Sequence, residues 1–128
     1  MTDQITSKIP LGTADDIEPI NNIYNQAVED GLRTAHNDPT SRAERTSWFR
    51  DHDEHQYPIF VIELDTEVVG WISISPYRSD RQALNEVIEI SYYVDYRHHE
   101  QGLGSRLMTH ALDFCQQACY RIAVAVLI

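Results

Sequence analysis

Apolar positions change period several times along the chain, and each change predicts an element. Ile17, Ile20, Tyr24, Ala27 and Val28 recur at helical spacing up to Gly31, after a start signal of Thr13 and Asp16. Ser41 and Glu44 have the capping-box spacing for a second helix, which carries Trp48 and Phe49 and ends near Asp51. Ile59–Leu64 and Val68–Ser75 are apolar and β-branched, with Asp65, Thr66 and Glu67 between them, the pattern of a hairpin. Ile5–Ile9 predicts an edge strand. Glu86–Asp95 predicts another, with Ile88, Ile90, Tyr92 and Val94 on one face and Val87, Glu89, Ser91 and Tyr93 on the other. Leu103, Leu107, Ala111, Leu112, Cys115 and Ala118 form one helical stripe, and Ile122–Ile128 is an unbroken apolar run.

The last three elements make a βαβ unit with parallel outer strands, fed by antiparallel hairpins. The expected fold is therefore α+β, a mixed sheet with helices on its faces, and uniform apolarity predicts a buried final strand. The 128 residues are 42% hydrophobic and 23% charged, which is ordinary globular usage, so one domain over residues 1–128 is expected.

Twenty acidic residues against ten basic give a net charge of −10, and Lys8 is the only lysine. That balance argues against nucleic acid as a partner. No apolar run approaches the roughly 20 residues a bilayer needs, and the N-terminus lacks the apolar core of a secretion signal. No membrane association and a cytoplasmic location are expected. Cys115 and Cys119, four apart in a helical stretch, are read as small apolar side chains, and no metal is expected.

The chemistry concentrates in His99-Glu100-Gln101-Gly102-Leu103-Gly104-Ser105, between a strand and a helix. Glycines let backbone N–H groups approach a ligand, and a helix N-terminus adds free donors and a positive dipole end, a combination that binds phosphate. The alternative is a plain strand-to-helix turn. Leu107 stands where a dinucleotide fingerprint needs its third glycine, the P-loop lysine is absent, and Leu103 takes the last ligand position of a His-Glu-x-x-His motif. His52 and His55, among Asp51, Asp53 and Glu54, are read as a solvated helix end.

Gly102-Leu103-Gly104, preceded by Ile90-Ser91-Tyr92-Tyr93-Val94-Asp95-Tyr96-Arg97, resembles the acetyl-CoA signature of the GCN5-related N-acetyltransferases (GNAT). Ile23-Tyr24-Asn25, Trp48-Phe49, Tyr57-Pro58, Glu67-Val68-Val69-Gly70-Trp71, Ser75-Pro76-Tyr77-Arg78 and Val87-Ile88-Glu89 follow in order the phosphinothricin and amino-acid N-acetyltransferase group. Two departures stand out. His99 occupies a position where the family usually has Gln or Arg, and similar proteins continue beyond Ile122–Ile128 with another helix and a closing hairpin.

The resemblance implies direct acetyl transfer from acetyl-CoA to the primary amine of a small amino acid or phosphinothricin-like acceptor, without metal. It implies that Ser91, Tyr92, Tyr93 and Val94 bind the pantetheine arm, and that His99, Glu100, Gln101, Gly102, Leu103, Gly104 and Ser105 receive the pyrophosphate. A Cβ at either glycine is expected to intrude on that contact. Glu89 is the expected base, since desolvation on an apolar strand favours proton acceptance. Arg78 would clasp an acceptor carboxylate, with Tyr77, Tyr24, Trp48 and Phe49 as apolar walls. The alternative is a CoA-binding or interaction module without turnover. A strand apolar on both faces needs cover on both, so association as a homodimer is expected.

Overall fold

A computed structural model of the chain describes residues 7–30, 38–76, 87–99, 101–118 and 122–126, the last span as backbone. The elements are β1 (Ser7–Lys8), α1 (Ile17–Glu29), α2 (Arg42–Arg50), β2 (Ile59–Leu64), β3 (Glu67–Pro76), β4 (Val87–Val94), α3 (Leu103–Gln117) and β5 (Ile122–Val126). The expected edge strand at Ile5–Ile9 is observed as Ser7–Lys8, beside Glu63 and Leu64 of β2. Asp65 and Thr66 turn the β2–β3 hairpin with positive φ of 50° and 69°, as a tight hairpin turn requires.

One sheet runs in the order β1-β2-β3-β4-β5. The first three pairings are antiparallel and β4 with β5 is parallel, the expected βαβ unit around α3. Because strand side chains alternate, the sheet has two different faces. Against α3 lies an aliphatic layer in which Ile62, Ile72, Ile74, Ile88, Ile90 and Leu107 are fully buried. Burying one such side chain contributes about 1.5–3 kcal/mol. Against α1 and α2 lies an aromatic layer that includes Tyr24, Trp71, Tyr93 and Trp48.

Cys115 is free and buried on the α3 face, where burial raises its thiol pKa to about 11, and Cys119 lies outside the described residues. So do the side chains of Ile122–Val126, and with them the expected apolar face of a homodimer. No described helix is long and apolar enough to cross a membrane.

Candidate active site

Among the described residues, strand β4 extends past its parallel neighbour. The β4–β5 register ends at Ser91 opposite Val126, whereas on the other side β3 continues to Val94 opposite Gly70. Asp95 N–H donates to Val69 O at 2.8 Å, so alternation aims the backbone groups of Ser91 and Tyr93 at β3 and those of Tyr92 and Val94 away from it. The Ser91–Val126 pairing takes the Tyr92 N–H, and beyond it no described strand meets them. His99 Nε2 donates to Val94 O at 2.8 Å, which leaves the Tyr92 C=O and the Val94 N–H without described partners.

The start of α3 borders this open edge. Gly102 is the N-cap with φ 77° and no side-chain cap, and the first intrahelical bond runs from Arg106 N–H to Gly102 O at 3.1 Å. The N–H groups of Leu103, Gly104 and Ser105 therefore lack intrahelical acceptors. A cleft of about 260 Å³ lies between Ile23 and Ala27 of α1, Tyr92–Val94, and the turn from Tyr96 to Gly104.

Each glycine also has a reason within the chain itself. A Cβ at Gly102 would meet no atom of the chain within 4 Å, so what the chain requires there is the left-handed backbone. At Gly104 a Cβ would come within 2.7 Å of the Tyr92 ring, so this glycine lets β4 and α3 approach.

Side chains pin the turn between strand and helix. Asp95, 5% exposed, accepts from Arg97 N–H at 2.9 Å and from its Nη2 at 2.9 Å, and the same nitrogen reaches Glu67 at 2.7 Å. The Arg97 hydrogen bonds hold the Asp95 carboxyl below its ordinary pKa against the opposing effect of burial. Tyr96 ties the turn to α1, its N–H donating to Gln26 at 3.0 Å and its hydroxyl to Asp30 at 3.1 Å.

On the aromatic face, Glu89 is half-buried at the far end of β4 from the turn, opposite Ser75 of β3. Tyr93 packs edge-on against Tyr24 at 5.1 Å and tilted on Trp71 at 5.0 Å, and burial raises its pKa to about 12, so it stays protonated at neutral pH. Tyr24 is core, while Trp48 and Phe49 pack beside it.

Two residues here were not singled out for chemistry in the sequence. Arg45, 4% exposed, stacks over Tyr24 at 4.5 Å and Trp48 at 4.6 Å, and its Nη2 has no described partner. Burial lowers its pKa from the ordinary value. His52 is not solvated as expected: it is half-buried, tilted against Trp48 at 4.7 Å and hydrogen-bonded to Ser75 Oγ at 3.1 Å, while His55 is exposed beside Glu54. A His in an Asp/Glu-rich stretch reads as surface, and only the through-space contact with β3 reveals otherwise.

The structure thus gathers Tyr92, Tyr93, Val94, His99, Gly102, Leu103 and Gly104 at one cleft. Gln101 and Ser105 are exposed beside it, Ser91 ends the paired part of β4, and Glu100, Tyr77 and Arg78 lie outside the described residues. Among the described residues no cluster of three His, Cys, Asp or Glu side chains could hold a metal ion.

Comparison with known proteins agrees with this geometry. A phosphinothricin N-acetyltransferase of Streptomyces viridochromogenes is 31% identical over 122 residues, covering 94% of this chain and 64% of the relative. The L-amino acid N-acyltransferase MnaT of Escherichia coli is 34% identical over 113 residues, covering 86% and 63%. A solved phosphinothricin acetyltransferase of the GNAT superfamily from Sinorhizobium meliloti, in complex with AcCoA, superposes with a TM-score of 0.89 at 27% identity, covering 95% of this chain and 66% of that one. The chain spans 59–64% of the length of the curated relatives it matches. Residues 19–127 match the profile of the acetyltransferase (GNAT) family, and the chain belongs to that family.

Proposed function

We propose that this chain carries the acetyl-CoA-binding and catalytic core of an N-acetyltransferase that acetylates the primary amine of a small amino acid or phosphinothricin-like acceptor by direct transfer. The observation that carries the reading is the juxtaposition of the open β4 edge with the uncapped start of α3 across one cleft. An extended arm with amides fits the Tyr92 C=O and the Val94 N–H as an added strand, and a pyrophosphate fits the N–H groups of Leu103, Gly104 and Ser105 at a positive helix end. Named neighbours support it, one of them solved with AcCoA.

When bound, acetyl-CoA supplies an activated thioester. The chain's own groups do the rest. The Val94 N–H holds the arm and stabilises charge on the thioester oxygen. An α-amino group is largely protonated in the neutral range, so a proton acceptor is needed. Glu89, half-buried on the aromatic face of β4, takes that proton. The same reading includes a cytoplasmic homodimer, with Tyr77 and Arg78 at the acceptor.

Thiol release from acetyl-CoA with a panel of amino acids, phosphinothricin and methionine sulfoximine tests the proposal. Release with at least one amine is expected, and Glu89→Gln should lower turnover while leaving CoA affinity within about twofold. CoA binding without release for any amine would refute the enzyme and leave a CoA-binding module.

A further inference from the structure

The end of the aromatic face opposite the cofactor turn holds an arrangement that the motif does not use. The His52 ring is held on two sides: Nδ1 lies 2.8 Å from Trp48 O, and Nε2 lies 3.1 Å from Ser75 Oγ. A carbonyl only accepts hydrogen bonds, so Nδ1 carries the ring proton and Nε2 presents a lone pair. The Ser75 hydroxyl must then donate to Nε2. Its hydrogen is used, and Ser75 Oγ offers only lone pairs to anything else nearby.

Ser75 is paired with Glu89 across the β3–β4 ladder, and alternation puts both on the face that carries Trp71 and Tyr93. Paired residues hold their Cβ atoms about 5 Å apart. An ionised Glu89 also only accepts. Two acceptors side by side match a group rich in N–H and repel a carbonyl or an anion.

We propose that Ser75 binds the N–H of the acceptor amine beside Glu89, and that His52 is the positioning residue that turns the Ser75 hydroxyl away from that amine. The inference rests on the N-acetyltransferase reading and extends it to the acceptor side. His52 is suited to the task because burial lowers its pKa and keeps the ring neutral, with Arg45 acting in the same direction and Asp51 opposing. Glu54 shares an outer cleft with His52, on the side of Leu11 and Ile59. A tilted contact with Trp48 packs one side of the ring.

Steady-state thiol release is measured for wild type, Ser75→Ala, Ser75→Thr and His52→Phe, and the His52 tautomer of the wild type is read by nitrogen-15 NMR. Ser75→Ala should raise the amine KM about tenfold, the scale of one hydrogen bond to a charged group, with the acetyl-CoA KM unchanged. Ser75→Thr, which keeps the hydroxyl, should restore it. His52→Phe keeps the contact with Trp48 and frees the hydroxyl, so its amine KM should fall between those of wild type and Ser75→Ala. The NMR signature should show a protonated Nδ1 and a bare Nε2. A protonated Nε2 in the neutral ring overturns the inference even if no variant folds, and so does an unchanged amine KM in Ser75→Ala or His52→Phe. Wild type that releases thiol with no amine overturns the enzyme reading as well, whereas an active wild type with indifferent variants overturns this inference alone.

Discussion

Helices α2 and α3 begin in opposite ways. At α2, Ser41 Oγ accepts from Glu44 N–H at 3.1 Å and Glu44 Oε1 accepts from Ser41 N–H at 3.0 Å, so side chains close the helix start and a carboxylate sits on its positive end. At α3, Gly102 has no side chain to offer, the first turn holds no acidic residue, and Ser105 stands where α2 has Glu44. The first start is finished by the chain itself. The second is left open beside the β4 edge, the two features on which the proposed acetyl-CoA site rests.

The sharpest way to break this contrast is Gly104→Val. The added side chain would enter the space of the Tyr92 ring, already 2.7 Å from an ideal Cβ, and drive the ring toward the cleft that the arm would occupy. CoA affinity, read by calorimetry, should fall well beyond tenfold. An affinity within twofold of wild type would mean that α3 is as closed to ligands as α2.

Gly102→Ala separates conformation from contact. Nothing lies within 4 Å of its Cβ, yet φ is 77°, so urea unfolding should show a loss of about 1–2 kcal/mol from left-handed backbone. CoA affinity should change less than threefold. Ser41→Ala at the other helix should cost about 1 kcal/mol of stability and leave CoA affinity untouched. If both substitutions weakened CoA alike, the two helix starts would be coupled and the contrast between them lost.

What could be read from the sequence follows the same division. The Ser41–Glu44 box, the hairpin around Asp65 and Thr66, the stripe from Leu103 to Cys115 and the Gly102 turn are local signals, because each is set by neighbours within a few residues. The purpose of Gly104 was not local. It depends on Tyr92, twelve positions earlier, leaning over the helix from the adjacent strand. His52 was misjudged for a related reason: Asp51, Asp53 and Glu54 made its surroundings look solvated, while its contacts are with Trp48 in the last turn of α2 and with Ser75 on β3. Arg45 shows the limit again, since no spacing rule predicts a cation buried among Tyr24, Trp48 and Trp71.

The smallest expected effect concerns the turn that delivers the chain to the open helix. Asp95 caps the turn at Tyr96–His98 as Ser41 caps α2, but it also binds the Arg97 guanidinium, which reaches Glu67 at the start of β3. Its folded-state pKa is lowered, chiefly by the Arg97 hydrogen bond, so its ionised form stabilises the fold. The sign follows from linkage: for a depressed carboxyl the contribution is complete above the unfolded value of about 3.9 and disappears as pH falls through the lower folded value. The Arg97 side chain is 67% exposed, so solvent screening keeps the ion-pair part small. Asp95→Asn removes the charge and keeps one acceptor for the Arg97 N–H. Its thermal midpoint should lie a few degrees below wild type at pH 7, and the gap should narrow as pH falls below 4. A gap that is constant from pH 7 to pH 2 would show that the charge of Asp95 is irrelevant, and that the turn before α3 is held by neutral capping alone.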